Sequence, residues 1–194
     1  MTVDLTADED PVLRWIFYNL VNQEIKVGVR ELARKTGLDT KTVMKRLAEL
    51  SDRKLIARRS RRGHFPYYHA TMSPLYFWEK AQMLQLRIMR SGLIDFLEMQ
   101  LKPRAIVLFG SMRKGEYNHE SDVDLFVLGK PEKLDLFLYE RRIGHEIHLL
   151  FDDDLANLSW ALRQTLLNGI VLSGEVWTEP MPDVLEWPAL KKDS

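Results

Sequence analysis

Two aspartates, Asp122 and Asp124, stand two positions apart at the start of a run rich in β-forming residues, Asp122–Leu128. Residues i and i+2 of a strand face the same side of a sheet. We therefore expect both carboxylates to project together while Val123 and Leu125 turn into the core. Adjacent carboxylates repel each other at neutral pH unless a cation lies between them. Mg²⁺ is typically held by one or two carboxylates and completed by phosphate oxygens, so the pair predicts a Mg²⁺ site that acts on a nucleotide.

A glycine–serine pair, Gly110 and Ser111, follows an apolar run that is typical of a buried strand, Arg104–Phe109. Glycine lets the backbone come close to a phosphate, and the amides after it can bind phosphate oxygens together with the serine hydroxyl. Lys114 or Arg113 would neutralise further phosphate charge. Metal-binding carboxylates beside a phosphate-binding turn are the parts that phosphoryl and nucleotidyl transfer require.

The order Gly110-Ser111, ten intervening residues, then Asp122-Val-Asp124 resembles the signature of the polymerase-β-type nucleotidyltransferase superfamily, in particular its minimal members. The resemblance covers about residues 85–175. It implies that Asp122 and Asp124 bind two Mg²⁺ ions and a nucleoside triphosphate, with ATP as the expected nucleotide. It also implies that Ser111 contacts the phosphates of that nucleotide.

Other positions in this stretch bear on the same resemblance. Gly115 stands where the family usually has a glycine, and Lys114 stands where many members have arginine, which keeps a cation but loses its bidentate geometry. The family needs a third acid on a later strand, usually an aspartate. Within the strand-like run His145–Phe151 the resemblance implies Glu146, one methylene longer, as catalytic residue and metal ligand. Two alternatives stay open: Glu146 as a solvated residue, and a metal role for His148 on the same face, although an ordinary histidine is the commoner case.

The N-terminal part has apolar residues at helical spacing that predict three helices, over 11–22, 29–36 and 41–50. The tight turn between the second and third makes a helix-turn-helix pattern, and residues 55–71 then indicate a hairpin with a basic tip. This order resembles the winged-helix family over roughly residues 10–72 and implies binding to double-stranded DNA. The residues expected to contact DNA are Lys41, Thr42, Lys45, Arg46, Arg58, Arg59, Arg61 and Arg62.

The zero net charge of the 194-residue chain hides an asymmetry. Residues 26–69 hold 13 lysines and arginines against four acids, so this segment carries +9 and the remainder carries −9. A basic segment joined to an acidic remainder indicates one part that binds a polyanion and another part with a different task. The alternative is that the basic run at 58–62 is only a solvated hairpin tip.

The chain is predicted to be an α+β protein in three parts. An N-terminal winged-helix domain spans 1–73, a linking helix spans 74–100, and a small mixed α/β nucleotidyltransferase-like domain spans 101–194. The linking helix is more apolar than a solvated linker needs to be. We therefore expect it to pack against both domains or against a second copy in a homodimer. In the last domain, helices are expected over 131–142 and 154–168.

The absence of cysteine excludes a disulfide framework, thiolate zinc sites and a cysteine nucleophile. The acidic N-terminus lacks the basic and apolar regions of a signal peptide, and no apolar run approaches the roughly 20 residues that span a bilayer. We therefore expect a cytoplasmic protein without a membrane partner.

The resemblance implies transfer of a nucleotide from a nucleoside triphosphate to a hydroxyl acceptor, with targeting or autoregulation through DNA. Minimal nucleotidyltransferases similar to this chain often belong to toxin–antitoxin pairs, so a partner protein or cognate toxin is the expected acceptor by analogy. A second interpretation is a transcriptional regulator whose nucleotidyltransferase-like domain only senses nucleotide or a partner. Modification of a small molecule such as an antibiotic is less favoured, because no segment is dedicated to recognising one.

Overall fold

The computed structural model describes residues 10–20, 22 and 26–176. The prediction that the N-terminus is not a signal peptide concerns residues 1–10, and of these only Asp10 lies within the described residues. Within the described residues, no helix is long and apolar enough to cross a membrane.

The described N-terminal elements are three short helices and a two-residue strand: α1 (Pro11–Asn19), β1 (Val27–Gly28), α2 (Val29–Thr36) and α3 (Thr40–Asp52). The Asp10 carboxylate accepts hydrogen bonds from the first amides of α1, and Asp39 does the same for α3. Gly37 ends α2 with a φ of +72°, which glycine adopts without strain. The three predicted helices are confirmed, although α1 ends at residue 19 instead of 22.

A β-hairpin follows, formed by β2 (Ile56–Arg59) and β3 (Tyr67–Ala70). β3 pairs antiparallel with β1 and with β2, which makes a small sheet in the order β1-β3-β2. The inward side chains of the hairpin, Ile56, Tyr68 and Ala70, are buried in the core that also contains the apolar face of α3. The predicted hairpin is confirmed, and its arginines are exposed to solvent.

The expected single linking helix over 74–100 is wrong, because the segment forms two helices, α4 (Pro74–Ser91) and α5 (Leu93–Leu101). Gly92 separates them with a φ of +81°. The Ser91 hydroxyl hydrogen-bonds backbone groups on both sides of the break. The apolar periodicity does not reveal this break, since an isolated glycine is also tolerated inside a continuous helix.

The C-terminal part alternates strands with short helices. In chain order these are β4 (Ala105–Leu108), α6 (Gly110–Arg113), β5 (Val123–Leu128), α7 (Phe137–Ile143), β6 (Ile147–Asp152), α8 (Trp160–Leu167) and β7 (Ile170–Gly174). The three predicted strands, now β4 to β6, are confirmed, and β7 is an additional one. Both predicted helices are shorter than expected: residues 131–136 are not helical, and α8 begins after a 3₁₀ turn and a Ser159 cap.

The described strands of this part form a mixed sheet in the order β6-β5-β4-β7. β5 runs parallel to β6, whereas β4 runs antiparallel to β5 and β7. One face packs into the main core through residues such as Leu125, and the other packs against α8 through Phe126 and Leu166. The alternation along β5 therefore directs positions 122 and 124 away from the main core.

α4 joins the N-terminal elements to this sheet within one continuous core. The Tyr76 hydroxyl donates to the Leu20 carbonyl at 3.1 Å, and the Tyr76 ring packs edge-on against Phe17 with centroids 5.1 Å apart. One turn later the buried Lys80 ammonium donates to the Tyr117 carbonyl, and the Tyr117 hydroxyl donates back to the Lys80 carbonyl at 3.0 Å. The boundaries near residues 73 and 100 remain predictions. One hydrophobic core includes residues on both sides of each boundary.

Gly115 lies where the loop after α6 contacts α4 closely, and this contact can be tested by substitution. A Cβ there would stand 2.1 Å from the Phe77 carbonyl oxygen, at a φ of +74°. Gly115→Ala should lower the free energy of unfolding by about 3 kcal/mol or more, through positive-φ strain plus backbone overlap. Gly63→Ala is the matched control, since its φ is +79° but no atom lies within 4 Å of the added Cβ. It should cost about 1 kcal/mol in urea unfolding, and equal losses in the two variants would contradict the close approach.

The buried Lys80 should make the free energy of unfolding increase as the pH becomes alkaline. Burial lowers the pKa of Lys80 from 10.5 to about 8. Above about pH 8 and up to the ordinary pKa, the unfolded chain keeps a proton that the folded chain has released, so the free energy of unfolding increases with pH. Between pH 8 and 9.5 the wild type should gain about 1–2 kcal/mol relative to Lys80→Met, measured by urea unfolding. The exposed Lys130→Met is the control and should keep the wild-type slope; a wild-type slope in Lys80→Met would refute the assignment.

Candidate active site

Asp122 and Asp124 lie at the start of β5, on the sheet face opposite the main core. Val123 and Leu125 are completely buried, which fixes the backbone that carries the two acids. The carboxyl side chains keep 37% and 32% of their surface exposed. The Phe109 amide donates to the Asp124 carbonyl at 3.0 Å, so the turn after β4 is fastened to the start of β5.

Gly110 leaves the space that the Asp124 carboxylate occupies. A Cβ at position 110 would stand 2.3 Å from Oδ2 of Asp124, and the φ of Gly110 is +73°. Both facts require glycine, the first through steric overlap and the second through the backbone conformation. From the sequence, Gly110 is expected only to let a phosphate approach the backbone; in the structure it also leaves room for the Asp124 carboxylate.

Ser111 and Lys114 lie within and directly after α6, and both are exposed. The completely buried Met112 anchors this short helix to the core. Since the end of β4 pairs with Leu125, the turn that carries Ser111 lies at the same end of the sheet as the two aspartates. The Ser111 hydroxyl and the Lys114 ammonium group therefore lie at the end of the sheet that carries the two carboxylates.

The start of β6 brings Glu146 and His148 to the same place. Parallel pairing sets His148 opposite Asp124, and the Val123 amide donates to the Glu146 carbonyl at 2.8 Å. One side-chain ligand atom from each of Asp122, Glu146 and His148 lies within 4.8 Å of the others. Glu146, the expected third acid, therefore lies close to Asp122. Asp124 does not belong to this group of three.

His148 stands between the two aspartates. Its Nδ1 lies 3.6 Å from Oδ2 of Asp122 and 3.9 Å from Oδ1 of Asp124. From the sequence alone, a metal role for His148 is less expected than the role of an ordinary histidine. The metal role becomes more plausible through the register of β5 against β6, which places His148 beside Asp124. The sequence of β6 does not reveal this register.

The electrostatics of this cluster favour a bound cation. Burial raises the pKa of Asp124 above its ordinary value; the His148 imidazole lowers that pKa, and the Asp122 carboxylate raises it again. The Asp124 carboxylate is therefore partly shielded from water and lies beside a second carboxylate. Carboxylate oxygens from Asp122, Asp124 and Glu146 are the ligands that Mg²⁺ takes in proteins, so this set of donors fits a dication.

A buried polar chain connects the residue before Asp122 to α1. Nδ1 of His145 lies 2.7 Å from the Ser121 carbonyl oxygen, which can only accept, so this nitrogen carries the proton. Burial lowers the pKa of His145, so the ring is neutral and its Nε2 accepts from the Tyr18 hydroxyl at 3.0 Å. Arg87 donates to the same hydroxyl at 2.9 Å. The N-terminal elements thus help to position the loop that enters β5.

An open cavity of about 590 Å³ adjoins the carboxylates. Asp122 and Glu146 line one side of it, together with Phe137, Glu140 and Arg141 from α7. The volume is in the range of ligand-binding clefts. An acceptor group can therefore reach the acids from the α7 side of the site.

The residues expected to contact DNA fall into two groups. Arg46 is half-buried, where its guanidinium donates to Glu49 at 2.7 Å and lies 3.9 Å from Asp10. The Thr42 hydroxyl donates to the Asp39 carboxylate at 2.6 Å in the cap of α3. These two side chains have structural partners, whereas the other expected residues are exposed: Lys41, Lys45, Arg58, Arg59, Arg61 and Arg62.

Comparison with known proteins bears on the C-terminal part. Residues 91–180 match the family model described as polymerase beta, nucleotidyltransferase, close to the range expected from the Gly-Ser and Asp-x-Asp signature. No curated protein and no solved structure matches the chain. The family match supports a nucleotidyltransferase domain in residues 91–180, and with it nucleotidyl transfer in general as the chemistry of this segment.

Proposed function

We propose that the chain transfers a nucleotide from a nucleoside triphosphate to a hydroxyl acceptor in a Mg²⁺-dependent reaction. The observation that carries this proposal is the convergence of Asp122 with Glu146, beside an Asp124 carboxylate seated against Gly110. These residues lie within the segment that matches nucleotidyltransferases. The raised pKa of Asp124 supports the need for a cation.

Each group has a part in the proposed reaction. Bound Mg²⁺ supplies charge compensation for the phosphates and for the departing pyrophosphate. Asp122, Asp124 and Glu146 would hold the Mg²⁺ ions at the end of the sheet where the nucleotide phosphates are expected to bind. The Ser111 hydroxyl and neighbouring amides bind phosphate oxygens, and Lys114 adds positive charge. The acceptor hydroxyl gives its proton to the Glu146 carboxylate, and its oxygen forms a bond to the α-phosphorus while the bond from that phosphorus to the bridging oxygen breaks, so that pyrophosphate leaves.

ATP as the nucleotide and a partner protein as the acceptor complete the proposal. Both come from the resemblance to minimal nucleotidyltransferases of toxin–antitoxin pairs. The open cavity that Asp122 and Glu146 line supports this choice, since its volume of about 590 Å³ is large enough to admit an exposed side chain of a protein.

We also propose that the N-terminal elements bind double-stranded DNA in the manner of a winged helix. The order of α1 to α3 followed by the β2–β3 hairpin supports this, as does the +9 charge of residues 26–69. The exposed Lys41 and Lys45 on α3 are suited to the major groove, and the hairpin arginines to phosphates.

A second candidate function is a regulator whose nucleotidyltransferase-like domain only senses nucleotide. The position of His148 favours it, because its Nδ1 lies within 4 Å of both the Asp122 and Asp124 carboxylates, contacts that need no metal. Nucleotide binding without transfer to any acceptor distinguishes this candidate from the enzyme.

The catalytic proposal predicts the effect of removing single charges. Asp122→Asn and Asp124→Asn keep the shape of each side chain, yet each should reduce transfer at least about a hundredfold because the metal is no longer held. Transfer is measured as label moved from α-labelled nucleoside triphosphates to protein in a cell lysate with Mg²⁺. Ser111→Ala should be milder, since backbone amides remain. The exposed Asp153→Asn is the matched control and should transfer normally; full activity in Asp124→Asn would refute the proposal.

The DNA proposal predicts a salt dependence that two arginines set. Arg61→Ala with Arg62→Ala should weaken binding to all duplexes alike and flatten the slope of log affinity against log salt by about 2, one for each lost phosphate contact. Lys130→Ala with Lys133→Ala removes the same charge from exposed positions outside the basic segment and should leave the slope unchanged. Fluorescence anisotropy measures both, and identical slopes in the two double variants would contradict the hairpin contact.

A further inference from the structure

The start of β6 carries an imidazole where the cluster would otherwise hold only carboxylates. The parallel register pairs Asp124 with His148, and both side chains leave the sheet on the face opposite the main core. Glu146, two residues earlier, shares that face and reaches Asp122. The ligand set on β6 is therefore one carboxylate and one imidazole.

The three groups are spaced like metal ligands. The ligand atoms of Asp122, Glu146 and His148 lie within 4.8 Å of one another. Ligands at about 2.0–2.2 Å from one ion stand roughly 3–4 Å apart, so small side-chain rotations would close the set around a metal. The 60% exposure of the His148 side chain leaves room for these rotations.

The identity of the ligands determines which metal the trio prefers. Mg²⁺ takes oxygen ligands, whereas a neutral imidazole suits first-row transition metals. We propose that Asp122, Glu146 and His148 form a mixed carboxylate–imidazole site that selects a first-row transition-metal dication such as Mn²⁺ over Mg²⁺. The inference rests on the proposed function, because it names the metal of that same site.

Asp124 keeps a separate place in this arrangement. It lies outside the trio and against Gly110, at the end of the sheet that carries Ser111. A second ion shared between Asp124 and nucleotide phosphates would meet only oxygen ligands and need not show the same preference.

The experiment is pulsed electron paramagnetic resonance of the full chain with Mn²⁺, which detects ¹⁴N bonded to the metal. Wild type should show ¹⁴N coupling, His148→Asp should bind Mn²⁺ without it, and the control His64→Ala, an exposed hairpin residue, should retain it. Competition titration should show that His148→Asp lowers the preference for Mn²⁺ over Mg²⁺ by at least about tenfold. Circular dichroism checks that each variant is folded.

Two results would overturn the inference: Mn²⁺ bound to wild type without ¹⁴N coupling, and no Mn²⁺ binding by folded wild type at micromolar concentrations. The second is expected if the contacts of His148 with the two aspartates exclude a metal from the trio. The proposed function fails separately: ¹⁴N coupling in a protein that transfers no nucleotide would leave the metal site standing and remove the transferase.

Discussion

Mutual repulsion among carboxylates held at one end of a sheet is the constraint on which the site depends. The pairing of β5 with β6 fixes Asp122 and Glu146 close together, and Gly110 admits the Asp124 carboxylate beside them. Burial raises the pKa of Asp124, so the fold tolerates this charge at a cost that a bound cation would relieve. Three further features lie around these carboxylates and bear on their repulsion: the glycine–serine turn, the buried alternation of β5 and the imidazole of His148.

The N-terminal elements are physically continuous with that site. α4 contributes Tyr76 to one end of the shared core and Lys80 to the other, and the neutral His145 links Tyr18 to the loop before Asp122. A displacement of α1 would therefore change the hydrogen bonds that position this loop. Through this contact, the proposed binding of DNA to the N-terminal elements would alter the geometry of the carboxylates.

The sequence predicts the elements that local chemistry determines. The three N-terminal helices and the alternation of Val123 and Leu125 each depend on near neighbours, and the structure agrees with them. The break at Gly92 and the strand β7 depend on tertiary packing and were not predicted. Within the site, the convergence of Glu146 with Asp122 follows the signature, but the place of His148 depends on the register between two strands, which a single sequence does not encode locally.

The central claim is that the carboxylates hold a metal ion that a nucleotide completes. Its most direct test is anomalous diffraction from crystals of the full chain grown with Mn²⁺ and a non-hydrolysable ATP analogue. The account predicts an anomalous peak about 2.2 Å from carboxylate oxygens of Asp122 and Glu146, with phosphate density beside it near Ser111. Nucleotide density in this cleft with no anomalous peak at the carboxylates would contradict it.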